Sequence, residues 1–342
     1  MTHFLRPTPI PRSRAPQVDP RLSIDAAVDH LAAGHALRLT NHYGLGADIL
    51  DALDHRLGPV GELQGEALRD ARRQRRRLAE GLLVPIERGR VCIKGANDNP
   101  LLAKLYPDIE RFWLPLVDVQ ALQTSAWRHA EGVNFAVLGH RLHPWHGVYA
   151  PKRTTHLELL ATWLAGYTGA RGHAVDVGTG CGVLAFMLAR AGFARVTATD
   201  INPNAVHSVK LDVARRSPPP AIAAVHSDLL AELSEPADLL VFNPPWLPGR
   251  VDSALDRALF YDDGLFERFF AQARRSLSAD GRVVIVFSSM LRLIRPDAPH
   301  PIEVALESGH FSLESRLQRK VKAQGRRRTK ERVEVWVLTP VE

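Results

Sequence analysis

The hydrophobic pattern is most regular in the second half of the chain. Short apolar runs alternate there with segments whose apolar residues recur every three or four positions. Such runs predict the buried strands of a parallel sheet, and the segments between them predict the helices that cover it. The predicted strands cover residues 174–177, 196–199, 223–225, 237–242 and 282–288. The predicted helices cover residues 155–167, 183–191, 204–215 and 265–277.

The end of the chain departs from this alternation. Residues 311–317 and 332–338 both have the pattern of strands, and the basic loop between them leaves no room for a crossover helix. Parallel strands need such a crossover, so these two strands are expected to form an antiparallel hairpin at one sheet edge. The predicted fold class is α/β, a Rossmann-like, doubly wound sheet that ends in an antiparallel C-terminal hairpin.

The first half of the chain has a mixed pattern. Residues 1–20 hold five prolines and few large apolar side chains, which predicts a disordered tail. Helices are predicted over 22–32, 46–57, 66–82 and 101–116, the last broken near Pro107, and strands over 90–94 and within 132–149. We therefore expect an α+β domain over 21–146 that recognises the substrate, followed by the α/β domain over 147–342.

Composition narrows the class of protein. Of 342 residues, 45% are hydrophobic and 24% are charged, which is ordinary for a globular protein. The net charge of +7 favours a polyanionic partner. The sequence shows no signal peptide and no apolar run of about 20 residues, so we expect a cytoplasmic protein without a membrane partner. Cys92 and Cys181 show no metal-ligand spacing, which predicts buried, reduced thiols and no metal site.

A glycine-rich loop, Gly178-Thr179-Gly180-Cys181-Gly182, follows the first predicted strand of the α/β domain. A loop between a strand and a helix offers backbone N–H groups to a ligand, and glycines let the ligand approach closely. The third glycine comes one residue earlier than in the nicotinamide fingerprint, which disfavours a nicotinamide dehydrogenase. The alternative interpretation of the loop is a tight turn without a ligand.

An acidic residue, Asp200, ends the next predicted strand. A carboxylate about 20 residues beyond such a loop accepts hydrogen bonds from the hydroxyls of a ribose. The alternative is that Asp200 caps the following helix.

The tetrad Asn243-Pro244-Pro245-Trp246 follows the predicted strand 237–242. Two consecutive prolines fix the backbone at the carboxyl end of a strand, which is where open α/β sheets bind ligands. An Asn amide there offers hydrogen bonds, and the Trp ring offers a flat face to a planar nitrogen substrate. Alternatively, the loop is only rigid and Trp246 packs in the core.

These motifs together resemble the class I S-adenosylmethionine-dependent methyltransferases. The segments 175–182, 200–203, 227–228 and 243–246 look most like the "methyltransferase small domain" N-methyltransferase group. That group includes HemK-type glutamine methyltransferases and enzymes that methylate exocyclic amines of adenine or guanine in RNA. The resemblance covers roughly residues 147–340 and implies a seven-stranded sheet and S-adenosylmethionine as the cofactor.

The resemblance also implies roles for individual residues. Asn243 and the Pro244 carbonyl would accept hydrogen bonds from the target amine, beside Pro245, and Trp246 would stack on its plane. The residues implied to bind the cofactor are Asp176, Gly178, Thr179, Gly180, Gly182, Asp200, Ile201, Asn202, Ser227, Asp228 and Asn243. Gly147–Pro151 either borders the mouth of the pocket, as a similar segment does in related enzymes, or is an interdomain linker.

The substrate is the least defined part of the prediction. Trp246 replaces the more common Tyr of HemK-type enzymes, and His156 stands where Glu is usual. Two basic runs, 72–77 and 326–330, favour contacts with phosphates. We therefore expect an N-methyltransferase of an exocyclic amine with RNA, ribosomal or transfer, as the favoured partner. The alternatives are a protein glutamine N5-methyltransferase and a non-catalytic cofactor-binding protein; the oligomeric state is not predicted.

Overall fold

The computed structural model of the chain describes residues 4–18, 22–59, 65–251, 254–321 and 330–341. Two compact units are present: Arg6–Trp127, and Arg128–Glu342, to which Phe4 and Leu5 also belong. The division differs from the predicted boundary after residue 146, because residues 128–146 belong to the second unit. One reason is that the His143 N–H donates to the Asp212 carboxylate over 2.8 Å, which ties this segment to a later helix. In the described part of the chain, no helix is long and apolar enough to cross a membrane.

The first unit is a small sheet with helices. Its strands are β1 (Leu37–Arg38), β2 (Leu82–Glu87), β3 (Arg90–Val91) and β4 (Arg111–Pro115). Its helices are α1 (Ile24–Ala32), α2 (Tyr43–Arg56), α3 (Gly65–Ala79), α4 (Pro100–Leu105) and the start of α5 (Leu116–Glu131). Strand β2 is central: it pairs parallel to β1 and antiparallel to β3 and β4.

Two expectations for this unit were wrong. The helix predicted over 66–82 ends at Ala79, and the central strand β2 follows it. The helix predicted over 101–116 is helical only before its predicted break near Pro107, as α4; the part after the break is the strand β4, and the long helix α5 was not predicted. The apolar run of β2, where Leu82, Val84 and Ile86 are fully buried, has no strand-like alternation that would separate it from the preceding helix.

The proline-rich segment 4–18 is also ordered, where disorder was expected. Ile10 exchanges both backbone hydrogen bonds with Trp113 of β4, at 3.0 and 2.8 Å. Val18 is fully buried, and its N–H donates to the Arg38 carbonyl of β1. Prolines, which lack an N–H, are tolerated in such edge segments because only one side of the segment is paired.

The second unit confirms the predicted α/β sheet. Seven strands form it: β7 (His173–Val177), β8 (Arg195–Asp200), β9 (Ile222–His226), β10 (Ala237–Phe242), β13 (Leu277–Ser288), β14 (Phe311–Lys320) and β15 (Arg332–Pro340). Their order is β14-β15-β13-β10-β7-β8-β9. The pairs among β13, β10, β7, β8 and β9 are parallel, whereas β15 is antiparallel to β13 and β14.

The remaining elements of this unit cover or extend the sheet. The helices are α6 (Thr155–Ala165), α7 (Val183–Arg190), α8 (Pro203–Ala214), α9 (Ala254–Arg257), α10 (Leu265–Ser276), α11 (Met290–Ile294) and α12 (Pro301–Glu307). Two short ladders join β5 (Val133–Phe135) to β6 (His140–Leu142) and β11 (Leu247–Pro248) to β12 (Phe260–Tyr261).

The strand order reverses between β7 and β10. The chain continues from β7 outward to β8 and β9, then returns to β10 on the other side and continues to β13. Crevices at such a switch point, at the carboxyl ends of the strands, are where open α/β sheets bind ligands. The fold therefore places the glycine loop after β7 and the tetrad after β10 side by side.

Candidate functional site

One cavity at the switch point collects residues from every predicted motif. Ten of the predicted site residues line it: Gly178, Thr179, Gly180, Asp200, Ile201, Asn202, Ser227, Asp228, Asn243 and Pro245. Gly147, Tyr149 and Pro151 also line it, so the segment 147–151 borders the cavity. Four predicted residues, Asp176, Gly182, Pro244 and Trp246, lie outside the lining.

The glycine loop has a backbone that favours glycine at three positions. Gly178, Gly180 and Gly182 have φ values of 65°, 52° and 87°, all in the left-handed region. A Cβ on Gly182 would lie 2.9 Å from Cγ2 of Val209, which is closer than packed atoms tolerate. Gly182 thus allows α7 to pack against α8, and a direct contact of this residue with a cofactor stays a prediction.

Three N–H groups of the loop, those of Thr179, Gly180 and Gly182, are already engaged inside the protein. The Thr179 N–H donates to the Thr199 carbonyl, and the Gly182 N–H donates to the Thr179 carbonyl, both over 2.8 Å. The Gly180 N–H donates to Oδ2 of Asp200 over 2.8 Å. A phosphate-binding loop needs such donors free for its ligand. The loop is therefore unlike a pyrophosphate cradle, which agrees with the spacing argument against nicotinamide cofactors.

Asp176 is fully buried at the end of β7. Its Oδ2 accepts hydrogen bonds from the Thr179 hydroxyl at 2.6 Å and from the Ala185 N–H at 2.9 Å. Its Oδ1 is buried and has no hydrogen-bond partner. Burial raises the pKa of this carboxyl to about 7. Asp176 fastens the loop to α7, and its second oxygen is left for a donor that the protein itself does not provide.

Asp200 stands at the end of β8, facing the cavity. Its Oδ1 accepts the Asn202 N–H, and its Oδ2 accepts the Gly180 N–H, each over 2.8 Å. Burial raises the pKa of the carboxyl, and the hydrogen bonds from Asn202 and Gly180 counteract part of the rise. Asn202, rather than Asp200, caps α8, since its side chain accepts the Asn204 N–H. The capping alternative for Asp200 is therefore wrong.

The segment after β9 completes this side of the cavity. Ser227 is buried, and its N–H donates to the Asp200 carbonyl over 3.0 Å. Asp228 is exposed to the cavity. Leu229, next in the chain, has a φ of 56°, which is uncommon for a residue other than glycine. Backbone strain of this kind is often found beside ligand sites.

The tetrad after β10 forms the opposite side. Asn243 and Pro245 line the cavity, and Oδ1 of Asn243 accepts a hydrogen bond from Nε1 of Trp246 at 3.1 Å. The Trp246 ring is half-buried against the hydrophobic core and meets the His156 ring edge to face, with ring centroids 5.6 Å apart. Stacking of Trp246 on a substrate stays a prediction.

A second wall of the cavity was missed by the sequence analysis. The segment 247–268, which follows the tetrad, contributes Val251, Arg257, Ala258, Phe260, Tyr261, Asp262, Leu265 and Arg268. The β11–β12 ladder joins residues 247–248 to residues 260–261 of this segment, and the Gly249 N–H donates to the Tyr261 carbonyl. Neither strand of this ladder exceeds two residues, so no periodicity could have revealed it.

Three of the five arginines in the basic run on α3 have ion pairs with carboxylates. Arg73 bridges to Asp70, and Arg75 bridges to Asp54. Arg76 reaches both Glu80 and Asp118. Each of these pairs places a carboxylate beside an arginine, which lowers the net positive charge of α3. The second run, at 326–328, lies outside the described residues.

Of the cysteines, Cys181 is buried as expected but Cys92 is exposed.

The cavity fits the predicted cofactor chemically. S-adenosylmethionine carries hydrogen-bond donors on its ribose, its amino-acid portion and its adenine, and it has no phosphate. The side facing the glycine loop offers acceptors: the Asp200 and Asp228 carboxylates, with the unpartnered Oδ1 of Asp176 behind the loop. Carboxylates would repel a phosphate but suit such donors.

Comparison with known proteins agrees with this geometry. Residues 141–296 match the family described as methyltransferase small domain. The chain is 39% identical over 92 residues to release factor glutamine methyltransferase of Deinococcus radiodurans, covering 27% of this chain and 32% of that protein. It is 30% identical over 148 residues to tRNA1(Val) (adenine(37)-N6)-methyltransferase of Glaesserella parasuis, covering 41% and 61%.

A third relative is ribosomal protein L11 methyltransferase of Heliobacterium modesticaldum, 41% identical over 80 residues, with coverage of 23% and 25%. The chain thus spans between 25% and 61% of the length of these relatives. The matches confirm the predicted family and S-adenosylmethionine as its cofactor. The part of the chain that matches the methyltransferase small domain family, residues 141–296, includes the cavity-lining residues of the glycine loop, Asp200 and the tetrad.

Proposed function

We propose that this protein is an S-adenosylmethionine-dependent N-methyltransferase that acts on an exocyclic amine. The observation that carries the proposal is the position of Asn243, which lines the same cavity as Gly178 and Asp200. Asn243 follows β10, and β10 pairs directly with β7, the strand that leads into the glycine loop. A target amine held by Asn243 would therefore lie beside the cofactor.

The chain's own residues would orient this amine. An exocyclic amine is a poor nucleophile because its lone pair is delocalised into the ring or carbonyl. Oδ1 of Asn243 and the Pro244 carbonyl would each accept a hydrogen bond from one N–H group of the amine. These two bonds would turn its lone pair toward the methyl group. The cofactor supplies that methyl group in an activated form, on a sulfonium. Alignment and preorganised polar groups then provide most of the rate enhancement.

A strong general base is not required in this mechanism. The nitrogen becomes cationic once it is methylated, so its proton is readily lost to water. His156, the titratable ring packed against the tetrad, contacts Trp246 and is buried. Burial lowers its pKa to about 4, which keeps the ring neutral at neutral pH.

RNA is the favoured substrate, ribosomal or transfer, with the cytoplasm as the predicted compartment. Support comes from the net charge of +7 and from the relative named as a tRNA adenine-N6-methyltransferase. The second candidate is the side-chain amide of a protein glutamine, supported by the relative named as a release factor glutamine methyltransferase. Pairing of the α3 arginines reduces the support for RNA from the first unit.

Transfer of tritiated methyl groups distinguishes these substrates. The purified chain is incubated with labelled cofactor and, separately, with unmodified ribosomal and transfer RNA transcripts and with total protein from cells lacking the enzyme. Label in RNA that is released by nuclease supports the first candidate, and label in protein that is released by protease supports the second. Cofactor binding without transfer to either fraction would leave a non-catalytic binding protein.

A further inference from the structure

We propose that Trp246 is a positioning residue whose indole N–H fixes the amide of Asn243 for transfer. This inference rests on the proposed function, because it assigns Asn243 to the target amine. It differs from the predicted stacking role, which uses the face of the ring instead of its N–H. The ring packs against the hydrophobic core and lies outside the cavity lining, so its N–H is the part of Trp246 that reaches a lining residue.

The indole N–H links Asn243 to the sheet. Nε1 of Trp246 lies 3.1 Å from Oδ1 of Asn243 and 3.3 Å from the carbonyl oxygen of Val286. Val286 belongs to β13, where it pairs with Val335 of β15, so its carbonyl is held by a central part of the sheet. A side chain on the loop after β10 is thereby fixed to the neighbouring strand through a single shared proton.

This bond also decides which way the Asn243 amide faces. An indole N–H can only donate, so the amide atom opposite it must be the oxygen. A flipped amide would place its NH₂ against the indole N–H and lose the bond. The oxygen has two lone pairs, and Trp246 occupies one of them. The other lone pair remains for a second donor, and because Asn243 lines the cavity, a bound amine could be that donor.

His156 holds the indole ring in its plane. The two rings are nearly perpendicular, at 88°, in the edge-to-face arrangement that aromatic pairs prefer. His156 is only 3% exposed and its Nε2 has no hydrogen-bond partner, so the ring serves here as an apolar wall. His156 and Trp246 therefore form one packed unit.

Stacking and positioning predict different results for Trp246→Phe and Trp246→Leu. Phe keeps an aromatic face but removes the N–H, whereas Leu removes both. If Trp246 positions Asn243, Trp246→Phe lowers kcat about tenfold or more with KM changed less than about twofold, since a misplaced reacting group costs rate. If Trp246 only stacks, Trp246→Phe keeps near-normal kcat and Trp246→Leu raises KM.

Trp336→Phe is the matched control. The Trp336 N–H donates to Oε2 of Glu334 over 2.9 Å, so the variant deletes the same type of bond from the same sheet. Trp336 lies on β15, outside the cavity lining, and the variant is expected to lose stability while kcat stays within about twofold. The kinetic assay uses unmodified RNA transcripts and total cell protein as the methyl acceptors, as above.

A second measurement does not depend on activity. Trp246→Phe removes one indole N–H resonance from the ¹⁵N-labelled protein, which identifies the signal of Trp246. Asn243→Ala should shift this signal upfield and speed its exchange with D₂O, while Asn243→Asp, a stronger acceptor, should shift it downfield. The Trp336 signal should stay in place in both variants.

The outcomes separate this inference from the proposed function. If the wild-type protein transfers label to neither acceptor, the proposed function fails, whereas the indole shifts still report whether the bond exists. If the wild-type protein is active and Trp246→Phe retains its kcat within about twofold, the positioning role is overturned. An indole signal that moves in neither Asn243 variant would overturn it as well.

Discussion

The two sides of the cavity hold their polar side chains by different kinds of contact. On the side of β7, β8 and β9, the Asp200 carboxylate is held by the N–H groups of Gly180 and Asn202. On the side of β10, Asn243 is held by the ring of Trp246, which in turn bonds to Val286. The polar group on the first side is therefore held by backbone N–H groups, and the one on the second side by the N–H of a packed side chain.

The difference matches the chemistry proposed for each side. A cofactor is the same molecule in every member of a family. Backbone N–H donors hold the Asp200 carboxylate in place whatever the side chains of Gly180 and Asn202 are. The side proposed for the substrate carries the tetrad and the wall 247–268, which includes the rings of Phe260 and Tyr261. Packed side chains can be exchanged without refolding the sheet, so this side can change with the substrate.

The largest effect is expected for Asn243→Ala, which breaks the substrate side alone. Turnover should fall about 100-fold or more, by analogy with removal of one preorganised polar group from a transition state. The affinity for S-adenosylhomocysteine, measured by calorimetry, should fall much less than turnover: the loop and Asp200 are untouched, and only the cofactor contact implied for Asn243 is lost. A variant with nearly normal kcat on the true substrate would mean that the tetrad is only a structural turn.

Asp200→Ala breaks the cofactor side. Affinity for S-adenosylhomocysteine should weaken by roughly 1.5–3 kcal/mol, the range for a hydrogen bond to a charged group. Asp238→Ala is a matched control, since Asp238 accepts the N–H groups of Gly172 and His173 but lines no part of the cavity. The Asp238→Ala variant should lose stability and keep its affinity for S-adenosylhomocysteine. In the wild-type protein, tight binding of NADH would contradict the cofactor assignment.

The two sides should also respond to pH with opposite signs. Burial lowers the pKa of His156 from 6.5 to about 4, so the unfolded state binds a proton first as the pH falls. His156 thus contributes stability above pH 6.5 that is lost as the pH falls toward 4, by about 1 kcal/mol between pH 6 and pH 5. Replacing it with Phe should remove this loss in urea unfolding.

Asp176 should behave in the opposite way. Burial raises its pKa from 3.8 to about 7, so stability is lost as the pH rises between these values. As the pH rises from 5 to 6, the free energy of unfolding of Asp176→Asn should therefore increase by about 1 kcal/mol relative to that of the wild type. The free energy of unfolding of His156→Phe and of Asp176→Asn, each measured against pH and compared with the wild type, should therefore change in opposite directions. Equal changes in the two variants would contradict the titration that burial predicts for these groups.

The smallest effect is expected for the arginines of α3. Because a carboxylate lies beside each of Arg73, Arg75 and Arg76, we expect these side chains to release few counterions on RNA binding, and replacing all three with Gln should change its salt dependence little. Replacing Arg326, Arg327 and Arg328 with Gln should flatten it, by about 0.7 to 0.9 in log–log slope for each phosphate that is no longer neutralised. An unchanged slope in the second variant would make that run a solubility feature.

Much of the α/β unit could be predicted because its signals are local. Each strand of the parallel sheet is a short apolar run, and Gly178, Asp200 and Asn243 stand at or directly after strand ends. Once the strands are parallel, those ends meet at one edge whatever the rest of the chain does. Ten of the predicted site residues therefore line one cavity.

Other features depended on contacts between distant parts of the chain. The strand β2 is buried on both faces, so its sequence lacks the alternation that marks a strand, and only pairing with β1, β3 and β4 reveals it. The bond between Trp246 and Asn243 depends on the carbonyl of Val286 and on the ring of His156. Sequence by itself determined which residues stand at the strand ends, because strand periodicity is local; tertiary structure decided which partners hold them, because packing joins residues far apart in the chain.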